Sequence, residues 1–216
     1  QQNVAQPASG LRPDLPPATP ARQRTTVTDA VRQWGTLSRR YAEVLLRDKL
    51  NLAILLGQAP IIALLTYLVV GEKSPRDFAY FVLALVAVWF GTSVAAREII
   101  RERAVYNRER MVNLGLLPYV GSKLFVLTVI VGFQCTTLYG ALKLFHYTGL
   151  MKFPGWALPQ LLVMILTGVV GIALGLFVSA MVKTSEMATS LIPLILIPQI
   201  LFSGLVGVPA GLSKVI

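Results

Sequence analysis

The chain has 216 residues, 55% of them hydrophobic and 14% charged, with a mean hydropathy of +0.65. The apolar residues fall in long unbroken runs, which is membrane composition and not that of an ordinary soluble domain. The formal net charge of +10 would fit nucleic acid in a soluble protein, but the basic residues flank apolar runs without interleaved aromatics. The charge therefore marks the cytoplasmic side of a membrane protein, and no nucleic-acid partner is expected.

Residues 1–27 are rich in Pro, Ala, Gln and Ser, with PPATP at 16–20. They hold too few large apolar residues to offset the entropy of ordering, and read as a disordered linker, a tether to a domain upstream. No signal peptide is visible and the first residue is Gln1, so the chain reads as a piece of a longer polypeptide. Residues 28–49 then show helical periodicity, with Val31, Trp34, Leu37, Tyr41 and Val44 or Leu45 on one side and Arg32, Arg39, Arg40 and Arg47 opposite. Thr28 or Asp29 is a candidate cap. This is an amphipathic helix suited to the membrane interface, its arginines toward lipid phosphates.

Apolar runs follow at 50–71, 78–96, 124–142, 157–182 and 188–208. Each is long enough for the roughly 20 residues that cross a hydrocarbon core of about 30 Å. All must be helical, because a lone span in lipid satisfies its backbone hydrogen bonds no other way. The expected fold is thus an all-α polytopic membrane protein. Most lysines and arginines lie before the first run, between the second and third, and at Lys183, which places those segments and the N-terminus in the cytoplasm. An odd number of spans leaves Ile216 outside, and a sixth span is expected beyond it.

No catalytic constellation is present. There is no GxxxxGK[ST] phosphate loop and no HExxH motif, His146 is the sole histidine and Cys135 the sole cysteine. The chain is therefore not an enzyme by itself, binds no metal or cofactor of its own, and draws its energy from elsewhere.

Three features inside the runs stand out. Gly171 and Gly175, with Gly168 one turn earlier, offer a face where another helix backbone approaches closely, within the chain rather than across a dimer. Pro193 and Pro198 remove two helix hydrogen bonds, and Gln199 sets a polar amide at membrane depth, so a kink or local unwinding is expected there. The third is the charge block of residues 97–123. On a helix, Arg97, Arg101 and Arg108 share one stripe, Glu98, Glu102 and Glu109 the next, and Arg103 with Arg110 a third. Like charges meet at i,i+4, so the helix repels itself by a few tenths of a kcal/mol per pair and needs partners elsewhere.

Glu102-Arg103, Tyr106, Arg108-Glu109-Arg110, then Tyr119 and Lys123 resemble the motif between the second and third spans of type 2 ABC transporter permeases of the G subfamily, the White and pleiotropic-drug-resistance-like exporters. A second block, Lys183-Thr184-Ser185-Glu186, then Ile192-Pro193, Ile197-Pro198-Gln199 and Leu201-Phe202-Ser203-Gly204, is similar to the fifth span of bacterial members. The resemblance implies a six-span ABC-2 membrane domain working as a pair. Each copy would be driven by a nucleotide-binding domain, fused upstream or on a partner, that carries the ATP and Mg. The amphipathic segment would be the connecting helix. Glu98, Arg101, Glu102, Arg103, Tyr106, Arg108, Glu109 and Arg110 would form the element that touches the ATPase, the glutamate stripe foremost and Glu109 first. Trp89 and Phe90 on the second span, with Leu201 and Phe202 on the fifth, would be candidates for the wall of a cavity between two copies.

The function expected is export of lipid-like or amphipathic compounds by alternating access. An ion-gradient carrier or channel is the alternative from another class, but the five runs contain no Asp, Glu, Lys, Arg or His to relay ions. A membrane anchor for a cytoplasmic signalling domain is a third reading, one that needs neither paired prolines nor Gln199 within a span.

Overall fold

The computed structural model describes residues 27–70, 76–110, 115–149 and 158–202. These form helices α1 Val27–Arg47, α2 Lys49–Val69, α3 Arg76–Ala95, α4 Glu98–Arg110, α5 Leu116–Tyr147, α6 Leu158–Met181 and α7 Ser185–Leu201, with no strand among them. Four stretches are long and apolar enough to cross a membrane: Lys49–Val69, Asp77–Arg108, Leu116–Tyr147 and Leu158–Met181. The apolar helix α7 is shorter, at 17 residues. The part of the fifth run beyond Phe202, the linker at 1–26 and everything after 202 lie outside the described residues.

Local chemistry sets the breaks between helices. A single non-helical residue, Asp48, separates α1 from α2, and its carboxylate accepts from the Asn51 backbone N–H at 3.3 Å. Thr184 does the same for α7, accepting from the Met187 N–H at 3.3 Å. Each cap satisfies one of the donors that a helix start leaves open. Thr28 and Asp29 fall inside the first turn of α1 and not at its cap, since the helix already includes Val27. Between α3 and α4 only Ala96 and Arg97 leave helical geometry, as a turn.

The core lies between α3, α5 and α6, with α1 and α2 laid along α5. Its most extensive contact is α3 against α6, and glycine is the reason. A Cβ at Gly91 would sit 2.1 Å from the Gly168 carbonyl oxygen, and one at Gly171 would sit 2.6 Å from the Val88 carbonyl oxygen. With no side chains there the two backbones touch, and close packing replaces the hydrophobic drive that lipid removes. Gly175 extends the seam against Thr92 and Ala95, and Gly168 also meets Val131 of α5.

Helix α5 has 32 residues, about 48 Å at 1.5 Å per residue, against a hydrocarbon core of about 30 Å. Its first two turns precede the apolar run that begins at Leu124, and this overhang meets α1 and α4. The side of α1 that packs runs through Trp34, Ser38, Tyr41 and Leu45, while Val31 and Val44 stay exposed beside Arg32, Arg39, Arg40 and Arg47. Trp34 meets Phe125 of α5 edge to face, with ring centroids 5.1 Å apart.

Candidate functional site

Where the α5 overhang meets α1 and α4, Lys123 is buried, with a side-chain exposure of 2%. A buried ammonium is expensive unless paired, and α4 supplies both partners. Glu98 and Glu102 stand one turn apart on one face of α4, and their Oε2 atoms lie 3.5 Å and 2.8 Å from Lys123 Nζ. The contacts are ion pairs without aligned hydrogen-bond geometry. Two aromatic faces supplement them: the Tyr41 ring of α1, its centroid 4.0 Å from Nζ, and the Tyr119 ring at 5.5 Å.

The tyrosines also serve the carboxylates. Tyr41 Oη donates to Glu98 Oε2 at 2.6 Å, and Tyr119 Oη to Glu102 Oε2 at 3.5 Å. Burial first, and then the neighbouring Glu98 and Glu102 charges, push the Tyr41 phenol above its ordinary range, so it stays a neutral donor. Tyr106 of α4 lies against Tyr119, with ring centroids 4.5 Å apart. One lysine thereby joins three helices.

The other end of this joint is α6. Ser179 Oγ accepts from the Ile99 N–H at 3.0 Å and the Ile100 N–H at 3.2 Å, which are open donors of the first turn of α4. In return Arg103 of α4 donates to the Ala180 carbonyl at 2.9 Å, in the last turn of α6. The two helices cap each other. Gln33 of α1 reaches the Gly115 N–H at 3.5 Å and links the start of α5 as well.

These contacts show which way the stripes of α4 face within the chain. The glutamate stripe, at Glu98 and Glu102, turns inward to Lys123, and the exposed line of α4 is Arg101, Ala104 and Arg108, preceded by the exposed Arg97 of the turn before it. The reason is electrostatic: a buried cation on α5 draws both carboxylates, and the arginine stripe, next round the helix, is left outside. The helix belongs to Glu109 and Arg110 too, but their side chains lie outside the described residues. Arg103 is half-buried against α6, and Tyr106 is half-buried against Tyr119.

Elsewhere Gly168, Gly171 and Gly175 all face into the bundle. Helix α7 runs unbroken through Pro193 and Pro198, both exposed, so no unwinding occurs there, and Gln199 is half-buried. Trp89, Leu201 and Phe202 are exposed, whereas Phe90 is wholly buried in the core. Adjacent helical residues point about 100° apart, so Trp89 and Phe90 do not share one wall, and Phe90 is a packing residue.

Ser179 and the inward role of Lys123 were absent from the sequence reading. A signal for each exists: Tyr119 and Lys123 repeat on α5 the i,i+4 spacing of Glu98 and Glu102 on α4, and Ser179 continues the Gly168, Gly171 and Gly175 face by one more turn. Only the fold brings the two spacings together.

Comparison with known proteins bears on the whole chain. The profile of the ABC-2 type transporter family matches residues 32–212. An ABC transporter ATP-binding/permease protein of Mycobacterium tuberculosis is 26% identical over 209 residues, covering 88% of this chain and 24% of its own length. This chain thus spans about a quarter of that relative. No solved structure matches. The family match covers the amphipathic helix, every apolar helix and the charged junction, and the chain belongs to the ABC-2 type transporter family as a multi-pass membrane permease.

Proposed function

We propose that this chain is the membrane part of an ATP-driven exporter of lipid-like or amphipathic compounds, of the kind found in bacterial members of the G subfamily. It works in the cytoplasmic membrane as one of a pair. Its N-terminus is inside, and its nucleotide-binding domain, which binds ATP and Mg, lies upstream on the same polypeptide. The observation that supports this most is the double anchorage of α4: ion-paired to α5 through Lys123, and mutually capped with α6 through Ser179 and Arg103. A helix held at both faces moves as a lever, and its exposed arginine line is the surface left for the ATPase.

In this reading, closure of the paired ATPases displaces α4. Because α6 is joined to α4 at its end and to α3 along the glycine seam, the displacement passes to the α3–α6 pair as one body. Motion of that pair opens the path between two copies, with Trp89, Leu201 and Phe202 available to face it. Ion-relay transport is disfavoured because the five apolar runs hold no Asp, Glu, Lys, Arg or His.

The test uses the full transporter in proteoliposomes. Arg108→Glu, on an exposed position away from the ion-paired cluster, is expected to keep folding and basal ATP hydrolysis while reducing transport at least tenfold. Unchanged transport in Arg108→Glu and in the double variant Arg101→Glu/Arg108→Glu would remove α4 as the coupling element.

A further inference from the structure

Helix α2 is the membrane helix that the bundle holds least, with 17% of its apolar stretch buried against 33–50% in the other three. It packs on α5 and on α1. In lipid, apolar contact gives little drive for association, so hydrogen bonds between helices weigh more. Gln134 of α5 is 0% exposed and donates from Nε2 to the Leu55 carbonyl of α2 at 2.5 Å. Gln58 follows Leu55 at i+3, one turn further along the same side of α2. Its Nε2 and the Oε1 of Gln134 are both buried, and neither has a hydrogen-bond partner among the described residues. An open donor on α2 and an open acceptor on α5 are thus brought to one contact. Gln58 lies about 14 Å along the helix from Lys49 at 1.5 Å per residue, near the middle of a hydrocarbon core of about 30 Å.

We propose that α2 has two hydrogen-bonded positions on α5, and that Gln58 and Gln134 are the latch between them. In the position described, Gln134 holds the Leu55 carbonyl. In the other, Gln58 Nε2 donates to Gln134 Oε1. The burial of both atoms favours a direct amide pair over any other occupant, because neither presents surface that a water or a lipid could reach. Each open group carries its desolvation cost unrelieved, and the second position relieves both at once. Pro60, just beyond Gln58, lacks the N–H that the Leu56 carbonyl would accept, so α2 bends there more readily than an unbroken helix. The α3–α6 pair has no such freedom, because its backbones touch. The inference rests on the α2–α5 contact, and not on which compound is exported or on how α4 is driven.

The experiment is double electron–electron resonance on the full transporter in lipid nanodiscs, with spin labels on Leu68→Cys and Val129→Cys in an otherwise cysteine-free background. Both positions are exposed, one on α2 beyond Pro60 and the other on α5. With Gln58 and Gln134 in place, two distance populations are expected, with or without ATP. Gln58→Leu is expected to reduce the second population about three- to tenfold, the loss of one interhelical hydrogen bond in lipid, while the first keeps its mean distance. Gly57→Ala is the control: a Cβ there meets nothing within 4 Å, and both populations are expected to remain. A single population in the parent, or a distribution that Gln58→Leu leaves unchanged, overturns the proposal. So does an equal loss in Gly57→Ala, which would trace the effect to helix stability and not to the amide pair.

Discussion

Lys123 is held by charge and by aromatic faces at once, so its removal is felt on both sides. Burying an ion pair gains little net stability, because desolvation offsets the attraction, but deleting one partner strands the other. Lys123→Ala leaves Glu98 and Glu102 facing each other without a cation, and is expected to cost about 3–5 kcal/mol, read as a lower unfolding temperature in detergent. The triple variant Lys123→Met/Glu98→Gln/Glu102→Gln, with no stranded charge, is expected to recover a large part of that loss. A triple variant no more stable than Lys123→Ala would show that the ion pairs themselves, and not the stranded charges, carry the stability. The cluster was half legible in the sequence. Glu98, Glu102, Tyr119 and Lys123 declared themselves by charge and motif, but their pairing did not, because nothing local says which way a lysine at the head of a span points.

At the scale of elements, the seam of α3 and α6 is built on absent side chains. Gly168, Gly171 and Gly175 were visible as a glycine face, whereas Gly91 stands alone in α3 and no spacing marked it. Its importance appears only when α6 is placed against it, where a Cβ would meet three backbone atoms of α6 within 2.8 Å. Backbone has no flexible end to give way, so Gly91→Ala is expected to cost at least about 1–3 kcal/mol through overpacking. Gly132 of α5 is the control: a Cβ there meets nothing within 4 Å. Gly132→Ala is expected to be neutral or to stabilise by roughly 0.5–1 kcal/mol, because glycine is the poorer helix former. Apparent unfolding temperatures of the two variants separate seam from propensity. If both behave alike, the α3–α6 backbone contact is not what holds the pair.

Across the whole molecule, the junction and the far end of α5 should lie on opposite sides of the membrane. In intact cells, a cysteine introduced by Tyr147→Cys, at a position 75% exposed, is expected to react with an impermeant maleimide from outside. One introduced by Arg108→Cys should react only after the membrane is opened. The reverse pattern would invert the topology and remove the basis for a cytoplasmic ATPase acting on α4. The contrast is expected to be near complete, because Cys135, the natural thiol, is buried in α5.

By itself the sequence determined the helices that sit in lipid, since long apolar runs have one way to satisfy their backbone there. It also determined where charge collects, because ionised groups stay out of hydrocarbon. The tertiary structure decided how those charges are shared. Whether a carboxylate on α4 faces an ATPase or a buried lysine depends on where α5 passes, and Glu98 and Glu102 turned inward because Lys123 stands there. It likewise decided that α4 ends in the grip of Ser179 and Arg103, contacts between residues more than seventy positions apart. Periodicity reports which residues share a face of one helix. Only packing reports what that face meets.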